Sequence, residues 1–196
     1  LEDLDAWYPA VPDSENAALL YMEAFEELQI IDPDKERIKK LTKVINELDR
    51  DDEFPSEHEA DLRTLVSDAA PALVLIEQAS QRSNARYPID LKLGIQVEQS
   101  HLAELRNVAR ILNQASESAL IDDDAARAVK YHIAILSAAT SLTNEPSIIS
   151  QLARVAIDRI AISNLERLLN HAHFDDALLQ VVDAAYMSAL NPESSG

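Results

Sequence analysis

Glycine is the residue this chain most conspicuously withholds: there are two, Gly94 inside the sequence and Gly196 at its last position. A phosphate-cradling loop or a dinucleotide fingerprint needs several glycines within a few residues, because only a missing Cβ lets backbone approach a phosphate closely. Nucleotide-binding folds of those two kinds are therefore excluded. Two-residue β-hairpins favour Asn-Gly, Asp-Gly or Gly-Gly turns, and the sequence has none. An α-helical chain needs the least glycine, so the expected fold class is all-α.

Apolar spacing agrees with this. Ala17, Leu20, Tyr21, Ala24, Phe25 and Leu28 recur at three- and four-residue steps after Asp13, a helix-capping type, and predict a first helix over Ser14–Ile30. Asp32-Pro33 reads as a cap with proline opening a second helix that carries Ile38, Leu41, Val44, Ile45 and Leu48. The short connection predicts an antiparallel hairpin of these two helices. Lys35, Lys39 and Lys43 form a like-charged column on the second helix, and Glu23, Glu26 and Glu27 of the first are the expected counter-charges.

RDDEFPSEHEAD lacks apolar period and reads as the main linker, with Ser56 and Glu59 as a capping box for a third helix. Pro71 falls within that helix and must kink or restart it. Three long helices, each expected to exceed twenty residues, follow from about Ser100, from Asp122–Asp124 and from Pro146-Ser147. A last one opens at Asp175. On the third long helix the expected inward face is Ile149, Leu152, Val155, Ala156, Arg159, Ile160, Ser163, Leu165, Leu168 and Leu169. The whole reads as an antiparallel helical bundle or short α-solenoid of about seven helices. Residues 1–50 form an aromatic strap with a helical hairpin and 51–196 the main bundle, together one compact domain.

Thirty-five acidic residues against seventeen basic ones give a net charge of −18. Such a surface repels phosphate backbones, so nucleic acid is not an expected partner. No stretch approaches the roughly 18 apolar residues that cross a bilayer. No cysteine is present, which removes disulfides and thiolate chemistry. The chain starts at Leu1 and not at methionine, from which we expect a signal peptide, a membrane anchor or a larger N-terminal region upstream; the compartment stays open, with an extracytoplasmic or envelope-tethered location favoured over a cytoplasmic one.

Motifs for chemistry are sparse. Glu98 and His101 have the i, i+3 spacing of di-metal helices, but no second such pair exists. His171 and His173 beside Asp175 and Asp176 read more simply as histidines at a helix C-terminus. His132 and Arg159, each on an expected apolar face, read as structural polar groups that need partners. No nucleophile–base arrangement is legible. Catalytic residues, metal ligands and cofactors are accordingly expected to be none.

RYPIDLKLG, then HLAELRNVARIL, an acidic turn and EPSIISQLARVAIDRIA resemble a set of poorly characterised all-helical bacterial proteins, over about residues 5 to 170. Members often carry an N-terminal export or anchor segment. The resemblance implies an α-helical domain exposed at the bacterial envelope and no catalytic residue. A glycine commonly sits in the turn after the first long helix of that pattern, where Ile121 and Asp122 stand here.

The function expected is a non-enzymatic interaction or scaffold module that uses a groove between helix pairs or the 84–99 loop to hold a protein or peptide partner, with a homodimer through an exposed apolar face as a further arrangement. The alternative is a small-molecule-binding domain or enzyme with a pocket around Trp7, Tyr8, Arg86, Tyr87 and His101. Two aromatic–proline stretches, Trp7-Tyr8-Pro9 and Arg86-Tyr87-Pro88, raise the question of whether they meet.

Overall fold

The structure, a computed structural model, describes residues 8–33, 35–89 and 99–190. Trp7, Gly94 and Glu98 lie outside the described residues. Within them the fold is all-helical, with eight helices: α1 Ala17–Ile31, α2 Glu36–Glu47, α3 Ser56–Asp68, α4 Ala70–Ser80, α5 Ser100–Ile121, α6 Ala125–Thr140, α7 Ile148–His171 and α8 Asp176–Leu190. α5 and α7 have 22 and 24 residues, but α6 has 16, fewer than its periodicity suggested.

Helix starts follow side-chain chemistry. α1 begins three residues later than expected, because Asn16 and not Asp13 is its cap. Asn16 Oδ1 accepts from Ala18 N at 3.1 Å and from Arg86 N at 2.8 Å, while Nδ2 donates to Arg86 O at 3.1 Å. An aspartate has no donor for that last bond, so only the amide can cap the helix and clasp a second segment together. At α2 the helix opens after Lys35, whose φ is 55°, rather than at Pro33, yet Asp32 Oδ2 still reaches Ile38 N at 3.0 Å. Pro71 restarts the chain as α4 after Ala69. Asp124 caps α6 by accepting from Arg127 N. The preceding turn places Asp123 at φ 56°, the left-handed geometry that glycine and aspartate tolerate best.

α5 is the axis of the molecule. It packs on α1, α2, α3, α6 and α7, while α1 pairs with α4 and α8 lies on α6. The expected α1–α2 hairpin is not among the principal pairings. The lysine column finds carboxylates other than Glu23, Glu26 and Glu27: Lys35 Nζ is 2.7 Å from Glu104 on α5, while Lys39 and Lys43 reach Glu36 at 3.0 Å and Glu47 at 3.7 Å within α2. Lys40 Nζ lies 2.6 Å from Asp61 on α3. One apolar core runs from Ala17 to Ala161 and so crosses residue 50.

Every residue of α5 from Ile111 to Ala119 is buried, polar ones included. Small side chains let its neighbours approach closely, and the polar groups find specific partners. Gln114 Nε2 donates to Ile38 O and Thr42 Oγ1, and Ser116 Oγ to Ala128 O. Glu117 accepts two bonds from Arg167 of α7, at 2.8 and 2.6 Å. Arg167 also donates to the carbonyls of Asp49 and Asp52, both at 3.1 Å. A buried ion pair loses its hydration, so these extra bonds decide whether it can persist. The linker after α2 is thereby tied to α5 through α7.

α7 turns the sequence expectation around. Its buried residues are Ser150, Ala153, Ile157, Ala161, Asn164, Arg167 and Leu168. Ile149, Leu152, Val155 and Leu169, assigned to the core face, are exposed, and so is Arg159. The buried arginine is Arg167. Alanine and serine let α7 close on α5 and α6, and its inward polar residues meet polar partners there. His132 Nδ1 of α6 donates to Asn164 Oδ1 at 2.9 Å, and Asn164 Nδ2 to Asn113 Oδ1 of α5 at 2.9 Å.

Candidate functional site

Tyr8, Arg86, Tyr87 and His101, drawn from distant parts of the sequence, converge beside the N-terminus of α5. Tyr8 Oη accepts from Tyr87 N at 2.7 Å. Arg86 Nε donates to Tyr8 O at 3.1 Å, and its guanidinium lies 5.1 Å over the Tyr8 ring. Tyr87 stacks on His101 with centroids 4.5 Å apart and 16° between planes. The two aromatic–proline stretches therefore meet through Tyr8 and Tyr87.

The cluster is closed. Tyr8 and Tyr87 are buried, and burial pushes both phenols well above their ordinary range, with the Glu145 charge adding to it. Tyr87 Oη shares a 3.1 Å hydrogen bond with Ser141 Oγ. His101 Nε2 donates to Glu145 Oε1 at 2.8 Å, and Ser150 Oγ donates to the other carboxylate oxygen. Glu145 thus has a partner at each oxygen, in the α6–α7 connection. Behind it, burial pushes Tyr21 up to about 12, partly offset by its bond to Ser137. A cavity of about 230 Å³ lies under Tyr8–Pro12 against Asn84, Ala85 and Asn144, outside the stacked pair.

Chemically this constellation is a satisfied polar network. Ser150 and His101 bond the same carboxylate from opposite sides, so the histidine does not stand between serine and acid as a base would in nucleophilic catalysis. Glu145, Ser141 and Ser150 escaped the sequence reading, since nothing local marks a residue whose partner lies 44 positions away. At the other candidate constellation, His171 Nε2 donates to Arg50 O at 2.9 Å. Among the described residues no group of three or more histidines and carboxylates is placed to hold a metal. No described helix is long and apolar enough to cross a membrane.

A second region has the opposite character. Ile148, Ile149, Leu152, Val155, Ile162 and Leu169 of α7 are between 54% and 77% exposed. Of the twelve exposed large apolar side chains among the described residues, ten belong to α7 or α8. On α8 the exposed large apolar side chains are Leu179, Val181, Met187 and Leu190, whereas Tyr186 packs on the core beside the His132 ring. Leu165, Leu168, Leu178 and Val182 join the two helices in a small apolar cluster. Exposed large apolar side chains concentrated in this way mark interaction sites in soluble proteins.

No family model matches this chain, and no curated protein or solved structure matches it at a significant level.

Proposed function

We propose that the chain is a non-enzymatic helical module that holds a protein partner on the face formed by α7 and α8. The observation that carries this reading is the concentration of ten exposed large apolar side chains on those two helices. The helices read as a bundle around α5, because α5 packs on α1, α2 and α3 as well as on its sequence neighbours, whereas solenoid repeats touch only adjacent units. An envelope location belongs to the same proposal, with the partner met outside the cytoplasm. The pocket reading around Trp7, Tyr8, Arg86, Tyr87 and His101 has less support, since the described members fill one another's space.

A photo-crosslinking side chain at Val155 or Ile162, introduced in the cell that makes the protein, tests the reading. Irradiation is expected to give a discrete adduct with a protein at both positions and none at exposed Glu57 on α3. Absence of adduct at both apolar positions would remove the proposal.

A further inference from the structure

A cavity of about 200 Å³ lies between the ends of α4, α6 and α8. Liquid water takes about 30 Å³ per molecule, so a ligand of about six or seven non-hydrogen atoms fills such a space. The last turns of all three helices reach its wall: Ser80 ends α4, Ser137 and Thr140 lie in the last turn of α6, and Ser188 in that of α8. A helix C-terminus presents carbonyls with no intrahelical partner and the equivalent of about half a negative charge. Lysine, arginine or histidine in the last turn commonly offsets it, and none of these three helices has one there. Three such ends on one space favour a cation over an anion.

The hydroxyls of the wall are turned the same way. Ser80 Oγ donates to Glu77 O at 2.7 Å and Thr140 Oγ1 to Ser137 O at 3.0 Å. A hydroxyl carries one proton, so each of these has only lone pairs left for the cavity. Thr143, in the same wall, has a buried Oγ1 with no hydrogen-bond partner among the described residues. A buried polar atom left unpaired is costly, and a donor on a bound molecule would relieve it.

Among the described residues Arg82 is the one charged member of the wall, and its Nη1 donates to the carbonyls of Asp13 at 3.2 Å and Asn16 at 2.8 Å. Those bonds direct the guanidinium to the turn before α1. With no carboxylate in the wall, a divalent cation lacks the ligands it needs. Ile133, Leu136 and Ala185 give the cavity an apolar side, which a carbon chain can cover and a bare alkali-metal ion cannot use.

Independently of the docking face, we propose that this cavity binds a small primary alkylammonium ion, its charged end among the helix ends and hydroxyls and its chain against Ile133, Leu136 and Ala185. An ammonium head offers three N–H donors. Ser80 Oγ, Thr140 Oγ1 and Thr143 Oγ1 are its acceptors.

The probe is n-butylammonium, titrated into the full chain at constant ionic strength, which gives every cation the same general attraction to the −18 surface. Saturable binding in the millimolar range is expected, with amide NMR shifts centred on Thr140, Thr143 and Ser188. n-Butanol lacks the charge, K⁺ lacks the chain and butyrate reverses the sign, and each is expected to bind at least about tenfold more weakly. Thr140→Val is expected to weaken binding at least about fivefold, and Thr140→Ser to keep it. Thr143→Val removes a hydroxyl that has no partner, so it weakens binding while the thermal midpoint holds or rises.

Tighter binding of butyrate overturns the proposal and makes Arg82 the anchor of an anion site. Equal binding of K⁺ or n-butanol overturns it too, as do shifts spread over the acidic surface or valine variants with unchanged affinity. None of these results bears on the face formed by α7 and α8, whose crosslinking test stands apart.

Discussion

The junction around Tyr8 and Tyr87 and the outward face of α7 are inversions of each other. The junction buries a carboxylate, an imidazole and hydroxyls, and joins them through hydrogen bonds of 2.7–3.1 Å and the Ser150 contact. The α7 face leaves leucine, isoleucine and valine in water with no described intramolecular cover. Polar groups inside cost stability unless each is satisfied, and here they set the angle at which distant segments meet. Apolar groups outside contribute nothing to the monomer's fold. Burial in the first case explains structure; exposure in the second asks for a partner.

The contrast is most easily broken at its polar extreme. Arg167→Ala should cost about 3–5 kcal/mol, because Glu117 would be left buried without a counter-charge, measured by urea unfolding. Replacing the pair together, Arg167→Met with Glu117→Leu, should recover most of that loss. If the single change costs less than about 1 kcal/mol, the pair is hydrated and the buried network is looser than described.

Next in size is the clasp. Tyr8→Phe removes the acceptor of the buried Tyr87 N–H and should destabilise by about 1–3 kcal/mol, read as a lowered thermal midpoint. Tyr87→Phe, which loses the Ser141 bond, should cost about 1 kcal/mol. Equal effects at the two positions would indicate that water replaces Tyr8 at the junction.

A smaller effect should appear in pH dependence. Burial holds His132 below its ordinary 6.5, with its bond to Asn164 pulling the other way. Because the unfolded chain takes up the proton first, stability is fully present above about pH 6.5 and falls as the solution is acidified below it. His132→Gln should flatten the change in unfolding midpoint between about pH 7.5 and about pH 5.5. The ring has Tyr186 beside it at 5.7 Å and no other described aromatic contact, so an unchanged slope would place the titration elsewhere.

The smallest effect should come from the apolar face. Leu152→Gln, Val155→Gln and Ile162→Gln, each made in dilute protein below any association, should shift unfolding free energy by no more than about 0.5 kcal/mol. Core substitutions of this kind cost several times more, about 2–5 kcal/mol for full truncation. A loss in that range would return these residues to the interior, where periodicity alone had put Leu152 and Val155.

Helix existence was legible in the sequence almost throughout. The proline restart at Pro71, the Asp124 cap and the start at Ser100 stand where local chemistry places them. The meeting of the two aromatic–proline stretches was legible only as a question, since the amide bonds of Asn16 and the carboxylate of Glu145 act across dozens of positions. Partner choice among helices was not legible either: a short turn suggested that α1 would lie on α2, but α1 packs on α4 and α5.

Fold class and the helix starts at Ser100 and after Asp124, with the restart at Pro71, come from the sequence by itself, because caps, prolines and missing glycines act over one turn of chain. Which side of α7 faces inward was decided only by tertiary structure. A hydrophobic pattern describes one helix, whereas burial depends on two surfaces. Ala153, Ala161 and Ser150 allow close approach to α5 and α6, and Asn164 and Arg167 find His132, Asn113 and Glu117 waiting there. With those partners engaged, the larger apolar side chains of the same helix are left on the outside.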